Sequence, residues 1–143
     1  MRDLKAKSVL VIEDEADIRQ FTFRVLDFEG YTVLQAGNGE EGLRLARETC
    51  GLSMVLLDLR LPDCDGWAIL EEMKKDPALS SIPVVVFSVS ATPRHQNRAL
   101  LMGASGYLAK PVDASSLRQA IAATIHWEGV VTTNRPESAT TAG

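Results

Sequence analysis

Five polar side chains in this sequence occupy the same kind of position, the end of a short apolar run. Glu13 and Asp14 follow Ser8-Val9-Leu10-Val11-Ile12, and Asp58 follows Ser53-Met54-Val55-Leu56-Leu57. Ser88 follows Pro83-Val84-Val85-Val86-Phe87, and Lys110 follows Gly106-Tyr107-Leu108-Ala109. If the runs are parallel strands of an open sheet, their carboxyl ends form the edge where ligands bind. Three carboxylates at one edge repel one another unless a cation lies among them. Mg2+ is the expected ion, because it takes hard oxygen ligands from one or two carboxylates, water and phosphate. Glu13, Asp14 and Asp58 are the expected ligands, with the backbone carbonyl of Arg60 as a further oxygen. Asp58 is the candidate nucleophile, since a carboxylate can form an acyl phosphate. Phosphoryl transfer rests mainly on positioning and charge neutralisation. Lys110 would serve one phosphoryl oxygen as a point charge, and the Ser88 hydroxyl would donate to another.

Taken singly, each residue has an ordinary explanation. Glu13 and Asp14 could be first-turn acids of the following helix. Asp58 could start a loop, Ser88 could bond to local backbone, and Lys110 could be a solvated loop lysine. Their common position at strand ends favours the joint reading.

The positioning elements alternate. Val9 to Ile12 is a continuous apolar run, as expected of a parallel strand covered on both faces. Ile18, Phe21, Val25 and Phe28 recur at helical spacing, and Gly30 is placed to end that helix. Tyr31 to Gln35 reads as a second, more edge-like strand. Asn38 and Glu41 form a capping box for a helix in which Leu43, Ala46 and Cys50 share a face. Met54 to Leu57 is a third strand, and Gly66 to Lys75 a helix ended by Asp76-Pro77. Val84 to Phe87 is a fourth strand, Pro93 to Met102 a helix closed by Gly103, and Tyr107 to Ala109 a short fifth strand. Asp113 caps a last helix running to about His126, with Leu117 and Ile121 inward. This is α/β, a (βα)5 doubly wound parallel five-stranded sheet. The order 2-1-3-4-5 is taken from known flavodoxin-like folds rather than read from these residues. It makes Asp14 and Asp58 neighbours.

With 143 residues, 45% hydrophobic and 24% charged, the chain suits one globular domain. Residues 1–126 are expected to form it. Residues 127–143 have no apolar period and read as a disordered tail or truncated linker. A net charge of -4 carries no nucleic-acid footprint. The charged start, Met1 to Lys7, precedes an apolar run too short for a secretory signal, and no stretch approaches the roughly 20 apolar residues of a membrane helix. Cys50 and Cys64 lack metal-ligand spacing and read as free thiols of a reducing cytoplasm. Gly37-Asn38-Gly39-Glu40-Glu41-Gly42 matches G-x-G-x-x-G literally. Glu40 and Glu41 would repel a pyrophosphate there, so turn and cap chemistry is the better account.

As a set, these motifs resemble the response-regulator receiver domain over about Ser8 to Ile125. Glu13-Asp14 resembles the family's acidic metal-binding pair, Asp58 its phosphoacceptor, and Leu61-Pro62-Asp63-Cys64-Asp65-Gly66 the loop that follows it. Ser88 resembles the switch hydroxyl, Tyr107 the switch aromatic, and Lys110-Pro111 the lysine whose following prolyl bond is cis. Glu13 stands where Asp is also frequent, Cys64 where Met or another apolar residue is common, and Gly42 where Ala is usual, at a helix cost of about 1 kcal/mol. None of these removes a chemical group. The resemblance implies a stand-alone receiver that takes a phosphoryl group from a sensor histidine kinase or histidine phosphotransfer protein. It then switches partner binding through Ser88 and Tyr107, around Arg94, His95 and Arg98. It would be a phosphoacceptor rather than an enzyme in the usual sense, cytoplasmic, with no direct nucleic-acid or membrane partner. The alternative is a phosphorylation-independent interaction module on the same fold. An aspartyl phosphohydrolase would need a general acid where Arg60 stands. A flavin binder would need a Ser-, Thr- and Gly-rich first loop where Glu13-Asp14-Glu15 stands.

Overall fold

A computed structural model describes residues 7–130, with side chains through residue 125. The elements are β1 (Ser8–Ile12), α1 (Ala16–Phe28), β2 (Thr32–Ala36), α2 (Gly39–Glu48), β3 (Leu52–Asp58), α3 (Gly66–Lys75), β4 (Val84–Ser88), α4 (Pro93–Leu101), β5 (Gly106–Ala109) and α5 (Ala114–Val130). The strands pair in parallel in the order β2-β1-β3-β4-β5. This is the expected flavodoxin-like arrangement. Helix α5 continues past His126 to Val130, and residues 131–143 lie outside the described residues.

Strand periodicity divides the apolar residues between two cores. Leu10, Ile12, Val55, Leu57, Val84 and Val86 pack with Ala46 of α2, Ile69, Leu70 and Met73 of α3, and Ala99 of α4. Val9, Val11, Met54, Leu56, Val85 and Phe87 pack with Leu26 of α1 and Leu117, Ile121 and Ile125 of α5. Strands β1, β3 and β4 are therefore covered on both faces, which explains their unbroken apolar runs. Strand β2 is less buried, as its edge position requires.

Helix α1 keeps half of the expected stripe, with Ile18 and Val25 partly buried against the second core, and departs from it in the other half. Thr22 and Leu26 are its buried residues, whereas Phe21 and Phe28 are 39% and 87% exposed. Apolar residues occur around most of this helix, so spacing alone leaves its rotation open. Thr22 can be buried because its hydroxyl donates to the Ile18 carbonyl at 2.8 Å. The helix ends in a Schellman motif, with Gly30 at a φ of 97°, Tyr31 N–H on Leu26 O at 3.1 Å and Gly30 N–H on Asp27 O at 3.0 Å.

Helix α2 carries the expected Asn38 cap, whose side chain accepts from Glu41 N–H at 2.8 Å. The Glu41 carboxylate reaches back to Gly37 N–H at 3.3 Å, one residue before the cap. The helix stops at Glu48, so Cys50 lies beyond it and is exposed rather than on its inner face. A Cβ on Gly42 would lie 2.5 Å from Ile12 Cδ1. The β1 isoleucine fills the space that an alanine at Gly42 would need.

Candidate functional site

At the carboxyl edge of the sheet, β1 and β3 are neighbours and β4 and β5 flank β3. One carboxylate oxygen from each of Glu13, Asp14 and Asp58 lies within 4.8 Å of the other two. Glu13 and Asp58 are 1% and 4% exposed, while Asp14 faces solvent. Lys110 Nζ lies 2.7 Å from Glu13 Oε1 and 3.5 Å from Asp58 Oδ2. The ammonium thus occupies part of the position a cation would serve. Burial pushes the Glu13 carboxyl up to about 7; Lys110 opposes the rise, and the Asp58 charge adds to it. This edge opens into a cavity of about 230 Å³ lined by residues including Asp14, Asp58, Arg60 and Lys110. Three convergent oxygens, those of Glu13 and Asp58 buried and with Asp14 and Asp58 lining the cleft, suit a hard divalent cation.

The backbone holds each group in place. Asp58 Oδ1 accepts from Arg60 N–H at 3.1 Å, and Arg60 bridges to Asp65 across the loop. Lys110 N–H donates to Ser88 O at 2.9 Å, tying the two strand ends together. The Lys110-Pro111 bond is cis. Ser88 is buried, and its Oγ accepts from Ser90 N–H at 3.1 Å. The Tyr107 hydroxyl donates to the Ser90 carbonyl. Arg94 is exposed, but His95 stacks on Trp67 with ring centres 6.0 Å apart. The Arg98 guanidinium lies 4.1 Å from the Trp67 ring centre. Two of these three candidate surface residues therefore also make contacts within the domain.

Two positioning residues escaped the sequence reading. Arg19 Nη1 donates to Glu13 O at 2.7 Å and more weakly to Asp14 O at 3.4 Å, bracing the acidic turn from α1. Its position six residues after Glu13 is one helical turn into α1, a signal too common to single out. Asp63 accepts from Gly39 N–H at 2.8 Å and Glu40 N–H at 2.9 Å. Those amides hold its carboxyl below the usual range. They are the amides a phosphate would need in the G-x-G-x-x-G segment, so that segment anchors the β3–α3 loop.

Residues 9–122 match the family described as the response regulator receiver domain. The chain belongs to this family. Among similar proteins, "Probable transcriptional regulator ycf27" of Porphyra purpurea is 32% identical over 134 residues, covering 94% of this chain and 53% of that protein. The receiver thus spans about half the length of curated relatives it matches. A CheY-like receiver structure from Methanospirillum hungatei JF-1 superposes with a TM-score of 0.80 at 27% identity, covering 87% of this chain and 97% of that one. The receiver of a Pseudomonas aeruginosa PAO1 sensor histidine kinase gives a TM-score of 0.76 at 24% identity, covering 84% and 98%. That structure is described with magnesium coordinated in its active-site cleft. No helix among the described residues of the present receiver is long and apolar enough to cross a membrane.

Proposed function

We propose that Asp58 accepts a phosphoryl group from the phosphohistidine of a sensor histidine kinase or histidine phosphotransfer protein. One observation carries the reading: the buried Asp58 carboxylate shares a single ammonium, Lys110, with a second buried acid at the mouth of an open cleft. An Asp58 oxygen attacks phosphorus, the P–O bond forms as the P–N bond breaks, and the departing imidazole takes a proton. Glu13, Asp14, Asp58 and the Arg60 carbonyl would hold Mg2+, which supplies positive charge to the phosphoryl oxygens. Lys110 offers a second positive charge, and Ser88 a hydroxyl donor. The magnesium described in the P. aeruginosa receiver supports this choice of ion.

The chain then acts as a signalling phosphoacceptor that loses its phosphoryl group to water, rather than as a turnover enzyme. Its output runs through Ser88 and Tyr107 to a protein partner at the surface around Arg94, His95 and Arg98. A net charge of -4 argues against a direct nucleic-acid contact. Free Cys50 and Cys64 fit a reducing cytoplasm. Intact-protein mass after incubation with acetyl phosphate and Mg2+ tests the assignment. Wild type should gain one phosphoryl group and Asp58→Asn none; equal labelling of the variant would move the acceptor elsewhere.

A further inference from the structure

The loop between β4 and α4 is held from several sides. Ser90 N–H donates to Ser88 Oγ at 3.1 Å, and the Ser90 carbonyl accepts from the Tyr107 hydroxyl. Ser90 Oγ lies 2.9 Å from His95 Nδ1, and Thr92 Oγ1, the α4 cap, lies 2.8 Å from the same nitrogen. The His95 ring in turn stacks on Trp67 at an interplanar angle of 19°, and Arg98 lies against that indole.

Trp67 belongs to the phosphoacceptor side of the molecule. It is in the first turn of α3, and its backbone N–H donates to the capping Asp65 carboxylate at 3.0 Å. Asp65 bridges to Arg60, whose N–H donates to Asp58. Followed from end to end, these contacts make a path that leaves the pocket through Asp58, Arg60 and Asp65. It crosses to α4 at Trp67 and His95, and returns through Ser90 and Ser88. Lys110 closes the path into a ring, with its N–H on Ser88 O and its Nζ 3.5 Å from Asp58 Oδ2. The indole is the join between the two halves. Helix α4 has little other anchorage, since Ala99 is its one buried residue.

We propose that Trp67 is a latch, a positioning residue that clamps α4 and the β4–α4 loop through His95 and Arg98. The latch opposes displacement of Ser88 toward Asp58. It deepens the phosphoacceptor reading and rests on it. A phosphoryl group on Asp58 that draws the Ser88 hydroxyl inward draws Ser90 with it through the Ser90 N–H bond to Ser88 Oγ. Ser90 then pulls on His95, and the stack on Trp67 loosens. The latch sets how readily the domain switches, because a contact made in only one arrangement biases the equilibrium between the two.

Beryllofluoride with Mg2+ serves as the phosphoryl mimic. Its bound 19F NMR signal reports occupancy, and Trp67 emission reports the latch in a Trp127→Phe background. The bound signal should appear together with a change in Trp67 emission. Trp67→Leu and the surface variant Arg98→Met should each tighten beryllofluoride binding by about two- to fivefold, the factor an exposed cation–π contact carries. Neither should do so in a Ser88→Ala background, where the ring is already cut. A merely structural role would weaken binding, or change it equally in both backgrounds. Absence of any bound 19F signal would overturn the phosphoacceptor reading and the latch with it. A bound signal with unchanged emission, or with unchanged or weaker affinity in both variants, would overturn the latch and leave Asp58 as acceptor.

Discussion

Magnesium affinity should be steeply pH-dependent across the neutral range, and Glu13 should be the reason. Its carboxyl is 1% exposed and shares Lys110 with Asp58, and burial raises it from 4.5 to about 7. A metal ligand must be deprotonated, so an ion entering the site displaces the Glu13 proton. With ionisation at about 7, the apparent dissociation constant scales as one plus 10 to the power of seven minus pH. It should then rise about tenfold from pH 8 to pH 6. In the ion-free protein the sign is opposite to that of an ordinary salt-bridged acid. The folded-state value lies above the unfolded one, so folding favours the protonated carboxyl. Its contribution to stability is complete below about 4.5 and is lost as pH rises through about 7. Isothermal titration with MgCl2 at pH 6, 7 and 8 measures the effect in wild type and Glu13→Gln. Wild type should show the tenfold change, and the variant should bind more weakly with a much flatter profile. An affinity constant across that range in wild type, or an equal slope in Glu13→Gln, would refute the assignment of the titrating group.

Three further outcomes follow from named contacts. Leu26→Ala, at a fully buried position on α1, should cost about 2–5 kcal/mol in denaturant unfolding. Phe28→Ala, at an 87% exposed position, should cost under about 0.5 kcal/mol; a reversed ranking would mean that α1 is rotated differently. Gly66→Ala should lower the melting temperature and weaken Mg2+ binding together, because its Cβ would lie 2.4 Å from Leu59 Cα and 2.6 Å from Asp58 O. Backbone cannot step aside there as a side chain could, so near-native values for both would refute tight packing of the β3–α3 loop against Gly66. Ser88→Ala should still gain a phosphoryl mass from acetyl phosphate, while the beryllofluoride-induced amide shifts around Tyr107 shrink; undiminished shifts would remove Ser88 from the switch.

The fold class was legible in the sequence because doubly covered parallel strands leave an unmistakable trace. Val9–Ile12, Met54–Leu57 and Val84–Phe87 could not be exposed on either face, and each is followed by a polar residue. Local chemistry was equally readable: Asn38 caps α2 and Asp113 accepts from Ser116 N–H at 2.7 Å, because a cap needs only its own next few residues. The rotation of α1 was not readable. Ile18, Phe21, Phe23, Val25, Leu26 and Phe28 distribute apolar surface around the helix, and contact with β1, β2 and α5 selects the face that is buried. Nor could the chain alone assign partners separated in sequence. Lys110 and Glu13 are 97 positions apart yet 2.7 Å apart in space. Asp63 finds the α2 amides only once α2 and α3 pack on the same face. Residue types and their strand-end positions specified which chemistry was possible. The 2-1-3-4-5 sheet order brought the buried acids around one ammonium, where loss of water makes their charges interact strongly enough to matter.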